Sequence, residues 1–312
     1  MNVGKVVVGD TLKTVMGIYN AVYSDLSNVL IGQNSVKKVV TSSLLCDKNS
    51  KILLTGNTGT GKTTLSNYLG ACFTKEKISV TSDLLPSDVQ EQLIARPDFN
   101  FLHIDEFNRA SGKLQAAFLE LFAERQISYT GATHSFGDFY VFATQNSADI
   151  AGIFNVPQAV YDRFDVNINF GNLNPSEKKE LLFSGFEPKK ITHVFPKVVD
   201  FTSSAIANFK LTDEEQDLLM AAFNYIDAMT YNGSPLFAGS NIRAHQYAIK
   251  LAKINALADG RTAIKPSDLT DYITYLYIHR IDQNVARIGN IDVNNLFAKA
   301  TNDILSLKRK KD

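Results

Sequence analysis

The stretch "ILLTGNTGTGKTTLSNYLG", residues 52–70, joins an apolar run to a glycine-rich loop and then to a helix-like segment. Residues 56–63 within it match the pattern G-x-x-x-x-G-K-[S/T]. Glycines let the backbone curl so that several N–H groups point at phosphate oxygens, and the helix that follows adds its positive end. The stretch therefore predicts a buried strand, a phosphate-binding loop and a helix. A glycine turn that binds no ligand is the alternative reading.

The polar side chains of this loop have distinct predicted roles. Lys62 would reach the β- and γ-phosphates of a nucleoside triphosphate, and the Thr63 hydroxyl would ligate Mg²⁺. The residues predicted to hold the nucleotide here are Gly56, Asn57, Thr58, Gly59, Thr60, Gly61, Lys62, Thr63 and Thr64. Such a loop alone does not distinguish kinases, GTPases, transporters and motors.

A second strand-like run, "FNFLHIDEF" at residues 99–107, ends in two acids. Asp105 would hold Mg²⁺ through water, and Glu106 would orient and deprotonate an attacking water. Plain solvated carboxylates at a strand end are the competing interpretation. His103 lies inside the strand and is predicted to pack rather than to act in catalysis.

Three further polar residues complete the predicted site. Asn146 is the last residue of "FATQN", at the end of a buried run, and could contact the γ-phosphate or the attacking water. Arg163, in "VPQAVYDRFDV", precedes another strand and could act on a neighbouring subunit as an arginine finger. A local surface pair with Asp162 competes with that role. Arg243, in "GSNIRAHQYA", could fold over the phosphates from a second domain.

The order of predicted elements favours an α/β fold followed by helices. Apolar runs that read as strands alternate with amphipathic helices, which is typical of a mostly parallel sheet with functional residues at strand ends. The pattern predicts a first helix over 11–31, an α/β domain over 1–171 and a helical domain over 172–312. In the second part Ser176 is a candidate helix cap, and Thr212 with Glu215 predicts a capping box.

Composition narrows the function classes. The 312 residues are 45% hydrophobic and 21% charged, and 32 basic residues balance 32 acidic ones. Zero net charge offers no broad attraction to nucleic acid or anionic lipid, and the basic end "LKRKKD" is read as a solvated tail. No stretch reaches the roughly 20 apolar residues of a membrane span. Cys46 and Cys72 are isolated, so we expect a reducing cytoplasmic compartment.

With these motifs in order, the chain resembles the MoxR family of AAA+ ATPases. The likeness runs from "VLIGQNSVKKVV" (29–40) to "YIHRID" (277–282). It includes "SDLLPSD", "HIDEFNRAS", "LQAAFLELFAERQISYTG", "FATQNSADIAGIFNVPQAVYDRFDV" and "NIRAHQYAIKLAKINALADGR". It implies a P-loop AAA+ core, with a mostly parallel sheet flanked by helices, followed by an all-α lid domain.

The resemblance also implies a role for each candidate residue. Val29 to Gln33, with Ile31 and Gly32, would line the adenine side of ATP, and residues 56–63 would be Walker A. The other implied roles are Walker B for Asp105 and Glu106, sensor 1 for Asn146, arginine finger for Arg163 and sensor 2 for Arg243. A helix-2 insert would occupy about 79–98, and a pre-sensor hairpin about 127–140, both facing the pore of a hexameric ring.

Two positions depart from the family pattern. The usual Ser-Pro before the sensor 2 arginine is Asn241-Ile242, and a proline common after the sensor 1 asparagine is Ser147. Neither removes a charged catalytic group, but both bear on how the lid is set and coupled to hydrolysis.

Three functions follow as hypotheses. The first is an ATP-hydrolysing ring that remodels, assembles or inserts metal into a protein partner, often with a von Willebrand factor A-type adaptor, as the resemblance implies. The second is a nucleic-acid motor related to replicative helicases, which zero net charge disfavours. The third is a nucleotide-gated assembly scaffold, which the intact Glu106 and Arg163 disfavour. A small-molecule kinase fits least well with the helical second domain.

Overall fold

The structure is a computed structural model that describes residues 3–146, 156–193, 196–237, 239–282, 284–285 and 292–306, with residues 3–8 described by their backbone only. The helices are α1 (Val3–Ser27), α2 (Asn34–Cys46), α3 (Lys62–Gly70), α4 (Pro86–Ala95), α5 (Gly112–Glu124), α6 (Gln158–Tyr161), α7 (Pro175–Phe183), α8 (Pro196–Asn208), α9 (Asp213–Asp227), α10 (Ile242–Ala258), α11 (Pro266–Thr270), α12 (Ile273–Tyr277) and α13 (Val293–Ser306). The strands are β1 (Lys51–Gly56), β2 (Lys75–Ser79), β3 (Phe101–Asp105), β4 (Gln126–Tyr129), β5 (Ala132–Ser135), β6 (Tyr140–Asn146), β7 (Val166–Phe170), β8 (Thr230–Tyr231) and β9 (Ser234–Pro235). Within the described ranges, no helix is both long and apolar enough to cross a membrane.

A five-stranded parallel sheet organises the first part of the chain. Its strand order is β2-β3-β6-β1-β7, and every neighbouring pair is parallel. The central strands are apolar on both faces because helices cover parallel sheets on both sides. In β1, for example, residues 52–54 are fully buried. The predicted α/β core with a mostly parallel sheet is confirmed.

The edge strand β2 was not predicted from the sequence. Its residues "KEKIS" contain a single large apolar side chain, and the buried position between the two lysines is occupied by Glu76. The Glu76 carboxylate is accommodated by Arg96, whose Nη1 lies 3.4 Å away, and by the side-chain amide of Gln92. A buried carboxylate with such partners is tolerated where the alternation of a strand calls for an apolar residue.

An aromatic cluster connects the sheet to α5. Phe107, directly after the acidic pair, lies 5.7 Å from Phe118 and 5.4 Å from Phe164 between ring centroids. Phe122 extends the same cluster toward Phe164 at 5.5 Å. These buried rings hold the segment that follows β3 against α5, so the acids at the end of β3 are fixed by the core rather than carried on a free loop.

The described residues form two compact units with other limits than the predicted domains. One unit is Ala21–Asp200, and the other combines Met1–Asn20 with Phe201–Asp312. The sequence predicted a domain boundary at residue 171. In the structure the first of these units extends to residue 200, and the start of the chain belongs to the second unit, which contains residues 201–312. Buried apolar side chains on α1, such as Val15, explain why that helix packs into a core.

The two predicted insert regions contain regular structure. Helix α4 lies within residues 79–98, and β4 pairs with β5 in an antiparallel hairpin within the second region. The Gln90 side chain donates a hydrogen bond to the carbonyl of Ser128 at 3.3 Å, and Tyr129 bonds to Glu91. These bonds join α4 to the hairpin. That both elements face a pore stays a prediction.

Of the helix ends predicted from the sequence, one is confirmed and two are wrong. The capping box of Thr212 and Glu215 is confirmed at the start of α9. Ser176 is not a cap, because Pro175 takes the first helical position and Asn174 before it accepts the backbone N–H of Glu177. Helix α1 ends at Ser27 rather than at residue 31.

Candidate nucleotide site

Three neighbouring strands end at one edge of the sheet and bring the candidate residues together. β1 ends at Gly56, β6 at Asn146 and β3 at Asp105, and Gly56 is paired with Asn146 in the register. Ligands of open α/β sheets bind outside the carboxyl ends of the strands. The loop and the polar strand ends that the sequence singled out therefore face one cavity.

The loop after β1 needs glycine for two separate reasons. Gly56 has a φ of 138°, and a Cβ there would lie 2.6 Å from the backbone oxygen of Phe170. Gly61, directly before α3, has a φ of 101°, in the region that L side chains rarely adopt. Neither position admits a side chain without a backbone shift, so the curled path of the loop depends on both.

Lys62 is the first residue of α3 and is almost fully buried. Its Nζ donates hydrogen bonds to the carbonyls of Gly56 at 2.8 Å and Asn57 at 2.7 Å. Burial lowers the pKa of this amine, and the charge of Asp105 opposes that shift. An ammonium held by neutral carbonyls keeps its charge available, which is the property that binding a polyphosphate requires.

Asp105 is oriented by two side chains. Thr144 on β6 donates its hydroxyl to Oδ1 at 2.6 Å, and Lys77 on β2 places its Nζ 3.1 Å from Oδ2. Burial raises the pKa of Asp105, but the hydrogen bonds from Thr144 and Lys77 outweigh it, so the pKa lies below its ordinary value. The carboxylate is therefore ionised at neutral pH. His103, two residues earlier, is fully buried in the strand, as a packing residue would be.

Glu106 lies in a sharply turned backbone at the end of β3. Its φ is 58°, and its backbone N–H donates to Thr144 Oγ1 at 3.1 Å. The carboxylate forms an ion pair with Arg109, whose Nε lies 2.9 Å from Oε2. Glu106 also lines the cavity, so a half-exposed carboxylate faces the space in which phosphates and water would lie.

Asn146 links the end of β6 to the glycine-rich loop. Its Nδ2 donates to Thr58 Oγ1 at 2.9 Å, and its carbonyl accepts from Asn108 Nδ2 at 3.2 Å. The side-chain amide thus lies beside the loop that would hold the phosphates, within the same cavity lining as Glu106.

The cavity has a volume of about 350 Å³, within the usual range for small-molecule sites. The polar part of its lining consists of the loop and the strand ends, and the apolar part consists of side chains such as Ile31 and Phe186. Its lining residues are Val29, Leu30, Ile31, Gln33, residues 58–64, Asp105, Glu106, Thr144, Asn146, Leu173, Leu181, Phe186 and Pro188.

Three of the predicted nucleotide-binding residues, Gly32, Gly56 and Asn57, are not among these lining residues. Gly56 and Asn57 bind the amine of Lys62 through their carbonyls instead. Gly32 has a φ of 60°, and a Cβ there would lie 2.1 Å from Oε1 of Glu177, so it permits a close approach of α7. Ile31 lines the apolar part directly.

The oxygen donors present suit Mg²⁺. The Thr63 hydroxyl and the Asp105 carboxylate are hard ligands, and Mg²⁺ is commonly held by one or two such groups together with phosphate oxygens. Among the described residues no group of three or more His, Cys, Asp or Glu could hold a metal ion by itself. A divalent cation here would therefore depend on a bound nucleotide for further ligands.

Arg163 lies apart from this cavity. It is two residues before Asp165, whose backbone N–H donates to the Lys51 carbonyl and whose Oδ2 accepts from the Lys51 N–H at 2.7 Å. Lys51 begins β1, and the phosphate loop follows the other end of that strand, roughly 16 Å away at about 3.3 Å per residue. The Arg163 Nε is buried and has no hydrogen-bond partner within the described part of the chain.

Arg243 lies at the start of α10 in the second unit and is exposed. Asn241, which stands two residues earlier where the family usually has serine, is buried, and its Nδ2 donates to Asp227 Oδ1 at 2.8 Å. That bond fixes the first turn of α10. The contact of Arg243 with phosphates stays a prediction, and Ser147 lies outside the described residues.

Several site residues were missed by sequence reasoning. Thr144 could have been found, since it lies two residues before Asn146 and must therefore share its face of β6. Lys77 could not, because β2 was not recognised as the neighbour of β3. The apolar lining from Leu173 to Pro188 also carried no motif.

Comparison with known proteins identifies the family. Residues 51–166 match the model of the ATPase family associated with various cellular activities (AAA), and residues 237–295 match the AAA lid domain. The chain is 28% identical over 281 residues to the chaperone MoxR1 of Mycobacterium tuberculosis, covering 82% of this chain and 74% of that protein. It is 27% identical over 297 residues to the protein MoxR of Paracoccus denitrificans, covering 82% and 86%. The chain belongs to the MoxR family of AAA+ ATPases.

The MoxR-family assignment agrees with the fold. A crystal structure from Cytophaga hutchinsonii, described as that of a candidate ATPase, superposes with a TM-score of 0.76 and covers 93% of this chain and 95% of its own. At 21% identity this likeness concerns the fold alone. The predicted α/β core with a helical lid is thus confirmed, and membership of an AAA+ family implies nucleotide binding, typically with Mg²⁺.

Proposed function

We propose that this MoxR-family chain hydrolyses ATP with Mg²⁺ at the cavity formed by β1, β3 and β6. It would form a hexameric ring and use the turnover to remodel, assemble or mature a protein partner, for example by metal insertion. The observation that carries the proposal is the convergence of Lys62, Asp105, Glu106 and Asn146 on one lining of nucleotide size.

Each residue of that lining has a task that fits its surroundings. Lys62 and the backbone of the loop would bind the phosphates, while the apolar lining near Ile31 and Phe186 would hold the base. Thr63 and Asp105 would hold Mg²⁺, which neutralises charge on the transferred phosphoryl group. Glu106 would take a proton from the attacking water, and Asn146 would orient that water or the γ-phosphate.

The position of Arg163 supports a site shared between subunits. Its chain neighbour Asp165 bonds to the start of β1, whereas the phosphate loop follows the end of that strand. An arginine placed there would act on a neighbour's nucleotide more readily than on its own. A finger supplied in this way is worth roughly 10³ to 10⁵ in rate. The lid arginine, Arg243, would complete the set from the second unit.

Relatives are named chaperone and MoxR, which suits a protein client. An adaptor of the von Willebrand factor A type is proposed from the family resemblance. We propose a cytoplasmic location, because the sequence contains only two cysteines, Cys46 and Cys72, which lie far apart in the chain.

The test is a Glu106→Gln variant compared with the wild type and with Glu124→Gln, an exposed glutamate on α5. We expect Glu106→Gln to bind ATP normally and to release phosphate at least about 100-fold more slowly, since general-base catalysis contributes roughly 10² to 10⁴. Glu124→Gln should behave as the wild type. Normal turnover by Glu106→Gln would refute the assigned base. A wild-type protein that binds Mg·ATP but releases no phosphate would refute hydrolysis and favour a nucleotide-gated scaffold.

A further inference from the structure

Lys77 contacts the predicted Mg²⁺ ligand although no sequence motif includes it. Its Nζ lies 3.1 Å from Asp105 Oδ2, while Thr144 bonds to the other oxygen. β2 pairs with β3 so that Lys77 stands opposite His103, two residues before Asp105 on the same face of the strand. Both oxygens of Asp105 therefore have partners that this chain supplies.

Lys77 is badly placed to bind phosphate itself. β2 is at one edge of the sheet, and β3 and β6 separate it from β1, which leads into the phosphate loop. Three strand spacings of about 4.8 Å amount to roughly 14 Å. Lys62 already supplies the ammonium of the loop. The influence of Lys77 on the site must then act through the carboxylate of Asp105.

A carboxylate that carries an ammonium partner attracts a divalent cation less strongly than a bare carboxylate. Mg²⁺ near Asp105 would also feel repulsion from the Lys77 charge. The several negative charges of a nucleotide polyphosphate would overcome both effects. The pairing therefore separates two situations: protein alone, in which Lys77 neutralises Asp105, and protein with nucleotide, in which the cation can bind.

We propose that Lys77 is a resident counter-ion of Asp105, a positioning residue that weakens divalent-cation binding until a nucleotide is present. This inference rests on the proposed function, because it takes Asp105 as the cation ligand. It goes beyond it by assigning the order in which the site is loaded: nucleotide with its metal, rather than metal first.

The strand provides a matched control. Lys75 lies two residues before Lys77 on β2, and its Nζ donates to Asn67 Oδ1 at 2.8 Å. A Lys75→Met variant removes the same charge from the same strand but leaves the direct contact between Lys77 and Asp105 in place. Lys77→Arg keeps a cation within reach of the carboxylate and should preserve the effect.

The experiment measures Mn²⁺ binding by electron paramagnetic resonance, without nucleotide and with ADP, on the full chain. Without nucleotide we expect Lys77→Met to bind Mn²⁺ roughly fivefold more tightly than the wild type, as suits a partly exposed ion pair of up to about 1 kcal/mol. Lys75→Met and Lys77→Arg should match the wild type. With ADP the difference should shrink.

Two outcomes overturn the inference: Lys77→Met binds Mn²⁺ no more tightly than the wild type, or Lys75→Met gains as much affinity as Lys77→Met. Failure of the proposed function is recognisable separately. In that case the wild type would release no phosphate from Mg·ATP, or would show no metal-dependent binding of a fluorescent ADP analogue, whatever the lysine variants do.

Discussion

Replacing Thr144 tests how much two hydrogen bonds at the site contribute to the free energy of unfolding. Its side chain is buried, donates to Asp105 and accepts from the backbone N–H of Glu106. Thr144→Val keeps the shape and removes both bonds. A hydrogen bond to a charged group contributes about 1.5–3 kcal/mol and a neutral one about 0.5–1.5. Because Asp105 is one-fifth exposed and water can replace part of the loss, we expect a destabilisation of about 2 kcal/mol.

The effect should depend on pH with a definite sign. The pKa of Asp105 is held below its ordinary value, so its bonds stabilise the folded state above the unfolded pKa of about 4. That stability is lost as the pH falls through the folded pKa. The difference between wild type and Thr144→Val should therefore be largest near neutral pH and shrink in acid.

The assay is urea unfolding followed by far-ultraviolet circular dichroism, since the chain contains no tryptophan. Thr41→Val is the matched control, because the buried Thr41 hydroxyl has no hydrogen-bond partner among the described residues. Its stability should be unchanged or slightly higher. If Thr144→Val and Thr41→Val gave the same free energy of unfolding, the assigned role of the Thr144 hydroxyl would be wrong.

Two more predictions concern the surroundings of the site. Burial lowers the pKa of His103 to about 4, so folding disfavours its protonation; stability should fall by about 2 kcal/mol between pH 7.5 and 5, and His103→Leu should flatten this slope in urea titrations at both values. Gly32→Ala should cost about 1–2 kcal/mol, because φ is 60° and the new methyl group meets the Glu177 carboxylate; adding Glu177→Ala should recover part of the loss, and full additivity in thermal melts would contradict that contact.

The strands that carry the site were predictable because their apolar runs end in polar residues. β1, β3 and β6 are buried in their centres and finish at the glycine loop, at the acids and at Asn146. Those features depend only on local sequence. The motif order was enough to predict that the loop, Asp105, Glu106 and Asn146 meet at one edge.

Three features of the structure were not predicted: the edge strand β2, the cap of α7 and the limits of the compact units. β2 was missed because Glu76 occupies a buried position, and with it the approach of Lys77 to Asp105 was missed. The cap of α7 was misassigned by two residues because Pro175 sets where that helix begins. The limits of the two compact units were not predicted either, because no motif indicates that residues 1–20 pack in the same unit as residues 201–312.

The central claim, a catalytic site shared between subunits, is tested most directly by complementation. Glu106→Gln and Arg163→Ala are each expected to bind ATP and release almost no phosphate, since each lacks one half of the site. Differently tagged copies of the two variants would be co-expressed, and rings carrying both tags would be purified.

In such rings an Arg163→Ala subunit supplies an intact Glu106, and a Glu106→Gln neighbour supplies an intact Arg163. With random mixing about a quarter of the head-to-tail interfaces would be complete, so phosphate release should recover to about that fraction of the wild-type rate. Mixed rings no more active than either variant alone, or normal turnover by Arg163→Ala alone, would contradict the shared site.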